Sequence, residues 1–264
     1  MNTLVRLLAQ LNRIPIGRRS VRLGSDRLFP DSLDRYLASL AWRLGWLEGR
    51  ERRWIEATLH SGMVAVDVGA NIGVYTLALA RCVGATGRVY ALEPEPRNFR
   101  ALSRAVEAAG LTQVELRQAA AGDAPGTAAL SVSPANRGDH RLFASGSDRA
   151  VLEVPVLVLD ELLRRESRID FIKIDVQGTE PAVLRGLRAT LERNPGLRVL
   201  CELCPALLRR AGATRDEFFA PLADAGLAPH RIATRSALQI LEADAAWELA
   251  VRAGFVNLVW QRPA

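Results

Sequence analysis

The sequence predicts an α/β domain on a mostly parallel sheet, with helices on both faces and a helical arm in front. Three observations carry this prediction. From Met63 onward, short apolar runs bounded by glycine or acidic residues alternate with stretches of helical periodicity. The runs are almost continuously apolar, as strands covered on both faces must be. A chain of 264 residues that is 49% hydrophobic and 24% charged can bury a core of that kind.

The arm comes first. Leu4, Val5, Leu7, Leu8 and Leu11 form a short amphipathic pattern, and the basic stretch Arg18-Arg19-Ser20-Val21-Arg22 follows. After Pro30-Asp31 a second helical run begins, with Leu33, Tyr36, Leu37 and Leu40 at helical spacing. Trp42, Trp46, Trp54, Ile55 and Leu59 continue it to Ser61-Gly62. The predicted division is therefore an arm over residues 1–60 and a main domain over 61–264. The predicted strands are Met63–Val68, Arg88–Leu92, Val114–Leu116, Phe171–Ile174, Leu197–Leu203 and Phe255–Trp260. Phe99, Leu102 and Val106 mark one helix between them, and Val183, Leu184, Leu187 and Leu191 mark another. Residues 119–160 break the alternation with a Gly/Ala/Ser/Pro-rich stretch and a predicted β-strand, Val151–Val158. Such an insert, near strand ends, is where a substrate lid would sit.

Composition excludes several classes. No window holds about 18 uncharged apolar residues, so no transmembrane helix is expected. Met1–Arg6 is polar where a secretory signal would begin, and three cysteines suit a reducing compartment, so a cytoplasmic location is expected. The net charge of +6 is concentrated in the arm, where eleven Arg and six acidic residues supply +5. Lys173 is the single lysine among 35 basic residues, which suggests either a need for its compact ammonium or chance survival of one Lys under a coding bias towards Arg.

The most informative stretch is Val66-Asp67-Val68-Gly69-Ala70-Asn71-Ile72-Gly73. A strand ends in an acid, a glycine-punctuated turn follows, and a helix starts. Gly69 lets backbone approach a ligand, Gly73 permits close helix–strand packing, and Asn71 tolerates a left-handed conformation. Glu93 ends a second strand twenty residues after Gly73, where a carboxylate can accept both hydroxyls of a ribose. NAD and S-adenosylmethionine both fit that geometry. The turn lacks the G-x-G-x-x-G spacing that seats a pyrophosphate, and Asp67 would repel one but suits the cationic end of S-adenosylmethionine. S-adenosylmethionine is the expected cofactor.

At these residues the sequence resembles the FkbM-type methyltransferases, a class I family dependent on S-adenosylmethionine. The resemblance rests on Asp67–Thr76, Glu93–Pro96 with Asn98-Phe99, Leu159–Leu162, Ile169–Glu180, Val183–Gly186, and Glu202 with Pro205. It implies a Rossmann-like, seven-stranded, mostly parallel sheet with one antiparallel strand at the edge side, here Phe255–Trp260. It further implies methyl transfer to a hydroxyl oxygen of a sugar, polyketide or similar metabolite. Many class I enzymes carry glycine where Asn71 stands; within this family Asn is usual. The cofactor residues expected on this reading are Glu48, Asp67, Gly69, Ala70, Asn71, Gly73, Glu93, Asp123 and Asp175. Glu48, in the family-like Gly45-Trp46-Leu47-Glu48-Gly49, is expected near cofactor or acceptor.

Candidate catalytic residues are His140, Asp175 and Lys173. On a strand, Lys173 and Asp175 face the same side. They form either a buried pair that fixes the strand end, or a unit in which Lys173 sets the charge of an Asp175 that holds the cofactor's amino group or positions the acceptor. Glu180 reads equally as a helix-dipole partner or a substrate acid. An alcohol acceptor needs a base, and His140, with Asp139 to orient it, is one candidate against an exposed loop histidine. Asp175 is the competing base. Asn136, Arg141, Gln177, Glu180 and Glu202 are the expected acceptor contacts. No metal is expected: Asp175 and Glu202 could face each other, but no third ligand is apparent, and Cys201-x-x-Cys204 lacks the partners zinc needs.

Two other functions compete with a small-molecule or glycan methyltransferase. A pI near 10 prompts a nucleic-acid methyltransferase, but the charge lies in the arm and no aromatic–basic interleaving marks the cofactor edge. A non-catalytic module of the same fold conflicts with an intact Asp67, Gly69, Gly73 and Glu93 set. The arm itself either packs as a cap through Trp42, Trp46 and Trp54, or makes weak contact with an anionic membrane surface.

Overall fold

A computed structural model describes residues 20–23, 25–30, 49–133, 138–143 and 149–263. In chain order, strands β1 (Val21–Leu23) and β2 (Asp26–Leu28) pair as a hairpin, and helix α1 spans Gly49–Thr58. Then β3 (Val64–Val68), α2 (Val74–Val83), β4 (Arg88–Leu92), α3 (Pro96–Ala108) and β5 (Val114–Arg117) alternate. Strands β6 (Ala120–Gly122), β7 (Gly126–Val132) and β8 (Ala150–Val158) follow. The second half holds β9 (Phe171–Ile174), α4 (Glu180–Arg185), β10 (Arg198–Leu203), α5 (Arg215–Asp224), β11 (Ala228–Ile232), β12 (Leu238–Ile240), α6 (Ala243–Ala253) and β13 (Val256–Gln261), with short helical turns between.

The main sheet has the order β12-β11-β13-β10-β9-β3-β4-β5. From β5 to β10 all pairings are parallel. This corrects the seven-strand expectation in two ways. Among the described residues this sheet has eight strands, and the antiparallel β13 is enclosed between β10 and β11, with the added β12 antiparallel at the edge. The predicted strands themselves are all present.

Alternate strand residues feed two core layers, which is why the strands read as continuous apolar runs. Val66, Val68, Ile172, Ile174, Val199 and Leu203 pack on one face with Leu184, Leu187, Phe218 and Trp260. Ala65, Phe171, Leu200 and Val259 pack on the other with Trp54, Ile55 and Leu79. Trp54 and Ile55 belong to α1, so that helix packs its buried face into this layer. Of the predicted cap tryptophans, Trp54 meets Phe171 at 6.2 Å between ring centroids. Trp42, Trp46 and the opening amphipathic segment lie outside the described residues. The hairpin docks on the same body. Leu28 is fully buried, Asp26 bridges Arg81 at 2.5 Å, and Arg104 lies 4.0 Å over the Phe29 ring.

The site's location follows from the topology. From β3 the chain winds outward to β5, then returns to place β9 on the other side of β3. The carboxyl ends of β3 and β9 therefore bound a switch point, where an open α/β sheet leaves a crevice. The insert rises beside it. There, β6, β7 and β8 make a separate three-stranded sheet in the order β6-β8-β7, so the insert is a folded wall with its own small core of Ala120, Leu130, Val132 and Val154. Among the described residues no helix is long and apolar enough to cross a membrane.

Candidate active site

A cavity of about 470 Å³ opens at this edge. Its walls come from the β3–α2 turn, the start of α3, the insert, and the carboxyl ends of β9 and β10. The size suits a nucleoside-type ligand with room beside it.

The turn is built by close approach. Gly69 has φ +81°, and a Cβ there would lie 2.0 Å from the carbonyl oxygen of Asp175, so any side chain would force the β3 and β9 ends apart. Asn71 has φ +53°, the left-handed conformation expected of it, and its N–H donates to Glu93 Oε2 at 2.8 Å. Glu93 Oε1 accepts from the N–H of Glu95 at 2.9 Å. Glu95 in turn caps α3 through the N–H groups of Arg97 and Asn98. The Glu93 carboxylate is thus fixed on both oxygens at the wall of the cavity, and the Asn98 side chain donates to it as well. A carboxylate held in this way can accept from a ribose. Gly69, Ala70, Asn71 and Glu93 all line the cavity as expected. Gly73 instead starts α2 at φ +99°, packed on Leu102, one step behind the wall.

Asp67, Asp123 and Glu180 also lie off the lining. Asp67 is fully enclosed behind the wall. It accepts the Thr76 hydroxyl at 2.6 Å and stands 3.9 Å from Lys173 Nζ, because strand alternation turns it toward α2 and away from the cavity. Burial pushes its carboxyl up, against the opposing pull of Lys173 and Thr76. Asp123 sits on the surface in an ion pair with Arg185 at 2.8 Å. Glu180 is buried and turned back into its own loop, accepting from the N–H groups of Val176 and Gly178, which excludes it as an acceptor contact. Glu48 and Asn136 lie outside the described residues.

Around β9 and β10 the expected cluster assembles. Lys173 Nζ lies 3.3 Å from Asp175 Oδ2 and 4.6 Å over the Tyr75 ring. Gln177 Nε2 donates to Asp175 Oδ1 at 2.7 Å and to Glu202 Oε1 at 3.3 Å, so an amide occupies the space between the two carboxylates. Gln177 does this at φ +58°, a conformation that costs energy for a residue of its kind. All five side chains line the cavity. The Cys201 thiol is buried on β10, and burial pushes it well above its ordinary value, so it is an inert core residue.

His140 also lines the cavity, carried there by an isolated bridge between Ser131 and Arg141. Its Nδ1 accepts the N–H of Ser133 at 3.1 Å, so the neutral ring carries its proton on Nε2. Nδ1 is thereby tied to the backbone of the insert. Asp139 does not orient the ring, being held by Arg141 at 2.7 Å and Arg149 at 2.6 Å. Arg141 is thereby committed to Asp139, and the ring of Phe143 lies 5.7 Å from its guanidinium, away from the cavity lining.

Sequence reasoning missed Glu51, Tyr75, Asn98, Phe255 and Asn257, which also line the cavity. Tyr75 and Asn98 stand inside the stretches that carried the resemblance. Phe255 and Asn257 gave no local sign, since only the strand order brings β13 beside β10.

Burial has a consequence for stability. It raises the carboxyls of Glu93 and Glu180 to about 7 from their ordinary 4.5. Between those values the folded chain holds protons that the unfolded chain has released. The associated stability is present below about pH 4.5 and lost as pH rises through about 7, at about 3 kcal/mol for each group. The melting temperature of the ligand-free protein is expected to fall between about pH 5 and pH 8. Glu180→Gln should flatten that slope in a thermal-shift series; an unchanged slope removes Glu180 as its source.

Comparison with known proteins agrees with this geometry. The family model described as the methyltransferase FkbM domain matches residues 67–219, more than half of the chain. Methyltransferase 1 of Beauveria bassiana (strain ARSEF 2860) is 28% identical over 143 residues, which is 46% of this chain and 57% of that protein. The chain thus matches little more than half the length of that curated relative. A methyltransferase FkbM structure from Methylobacillus flagellatus KT aligns at 20% identity and TM-score 0.40, over 54% of this chain and 32% of its own. A candidate rRNA methylase from Clostridium thermocellum shares the fold alone, at 10% identity and TM-score 0.50 over 82% of this chain and 95% of that one. The cofactor is S-adenosylmethionine, and the chain belongs to the FkbM methyltransferase domain family.

Proposed function

We propose that this protein transfers a methyl group from S-adenosylmethionine to a hydroxyl oxygen of a small molecule or glycan. The observation that carries this reading is the pairing of two carboxylates in one cavity. Glu93, held by backbone N–H groups, suits the ribose, and Asp175, held by Lys173 and Gln177, suits a proton. The bound cofactor supplies an electrophilic methyl group on a sulfonium. Asp175 orients the acceptor hydroxyl and takes its proton as the oxygen–methyl bond forms, because a neutral alcohol is a poor nucleophile. Lys173 acts through Asp175 as a positioning residue. His140 stands on the insert side of the cavity, and the insert sheet shields the site from water.

A pool of hydroxyl compounds incubated with cofactor carrying a ¹³C-methyl group tests this. The expected products are methyl ethers, recognised by their carbon shift, with S-adenosylhomocysteine formed in equal amount. Label found only on nitrogen or carbon would overturn the choice of oxygen.

A further inference from the structure

The cavity has a second end, away from Glu93, where β10 and β13 run side by side. Glu202 and Asn257 are direct partners in the antiparallel register, so a carboxylate and an amide stand next to each other on one face. Phe255, two residues earlier, lies at the rim with 53% of its surface exposed. Gln177 reaches Glu202 from the other side. A carboxylate, two amides and an aromatic ring suit a compound with hydroxyl or ammonium donors and an apolar face.

Charge narrows the choice. Among the described residues the lining contains four carboxylates, Glu51, Glu93, Asp175 and Glu202, and one cationic side chain, Lys173. Lys173 is already committed to Asp175 and Asp67. No described guanidinium lines the cavity, although the chain carries a net charge of +6. An anionic group beside Glu202 would therefore meet like charge in a partly dehydrated space.

We infer that the β10–β13 end is the acceptor subsite, and that it takes uncharged or ammonium-bearing hydroxyl compounds and rejects those with phosphate or carboxylate, Glu202 setting the selectivity. This rests on the methyltransferase reading above. It also bears on the pI near 10, since a phosphate-rich acceptor suits the charge of the whole chain but not that of the site.

The test uses the full chain saturated with S-adenosylhomocysteine, after calorimetry has shown that this complex forms. Failure to form it would overturn the methyltransferase reading itself. Ligand-observed NMR then screens hydroxyl-bearing fragments in neutral, ammonium and anionic classes. The set includes the ring-matched probes methyl glucoside, glucosamine, glucuronate and glucose 6-phosphate. Neutral and ammonium fragments are expected to bind at least about tenfold more tightly than anionic ones. Glu202→Lys, checked by an unchanged affinity for S-adenosylhomocysteine, should reverse the order of glucosamine and glucuronate. Equal binding of all classes, a preference for anions, or an order unmoved by Glu202→Lys would overturn the inference. So would the absence of any fragment whose binding is lost in Asn257→Phe.

Discussion

Glu93→Ala is expected to bind S-adenosylmethionine at least about a hundredfold more weakly than the wild-type protein. A hydrogen bond to a charged group contributes about 1.5–3 kcal/mol, and on the proposed reading two ribose hydroxyls would donate to this carboxylate. A hundredfold loss corresponds to about 2.8 kcal/mol, the low end of that sum. The same side chain also anchors the N–H groups of Asn71 and Glu95, so its removal loosens the turn that shapes the wall. Glu93→Gln separates the two effects, since it keeps the shape and removes the charge. Burial holds the Glu93 carboxyl at about 7, and only the ionised form accepts from both hydroxyls without giving up a site to its own proton. Wild-type affinity should therefore rise from about pH 6 to about pH 8, while that of Glu93→Gln stays level. Titration calorimetry at three pH values decides this. An Ala variant with unchanged affinity and an unchanged melting temperature would remove Glu93 from the cofactor site.

The sequence and the fold agree most closely where both faces of a strand are buried. Arg88–Leu92 and Phe171–Ile174 were legible to the residue because parallel strands between helix layers admit no polar face. The strands that escaped notice lack that constraint. Ala228–Ile232 carries Pro229, His230 and Arg231 and pairs only with antiparallel neighbours. Ala120–Gly122 and Gly126–Val132 are too rich in small residues to register as apolar runs. In the site, the turn residues and the strand-end acids identified the correct edge. The direction of each acid was another matter. Asp67 and Lys173 are register partners, and alternation turns Asp67 to Thr76 while Asp175 reaches the cavity. Glu180 differs from a substrate acid only in that its loop offers two N–H groups first. His140 does line the cavity, but the partner of its Nδ1 is the N–H of Ser133, seven residues earlier and brought alongside by a bridge that no local pattern announces.

Asp175 is the proposed base, being the cavity carboxylate held by both Lys173 and Gln177, and Asp175→Asn is expected to lower kcat by about 10²–10⁴. The side chain is 26% exposed, enough to meet an acceptor. Its oxygens are held by Lys173 at 3.3 Å and Gln177 at 2.7 Å, which orient the carboxylate without using all its lone pairs. Asparagine keeps the volume and one carbonyl oxygen but cannot accept the proton. If Asp175 served mainly to hold the cofactor's amino group, the same substitution would weaken cofactor binding and leave the rate of the saturated enzyme nearly intact. Single-turnover kinetics with saturating cofactor, alongside calorimetry with S-adenosylhomocysteine, separate the two roles. A base predicts a lost rate with retained affinity, whereas a structural member of the Lys173–Asp67 network predicts a lower melting temperature with both retained. His140→Gln supplies the contrast. Because glutamine can still accept from Ser133 and donate to the cavity, it should keep kcat within about tenfold of wild type if His140 is a donor, and lose about 10²–10⁴ if it is the base. A variant pair in which Asp175→Asn retains full rate and His140→Gln does not would return the proton to the histidine.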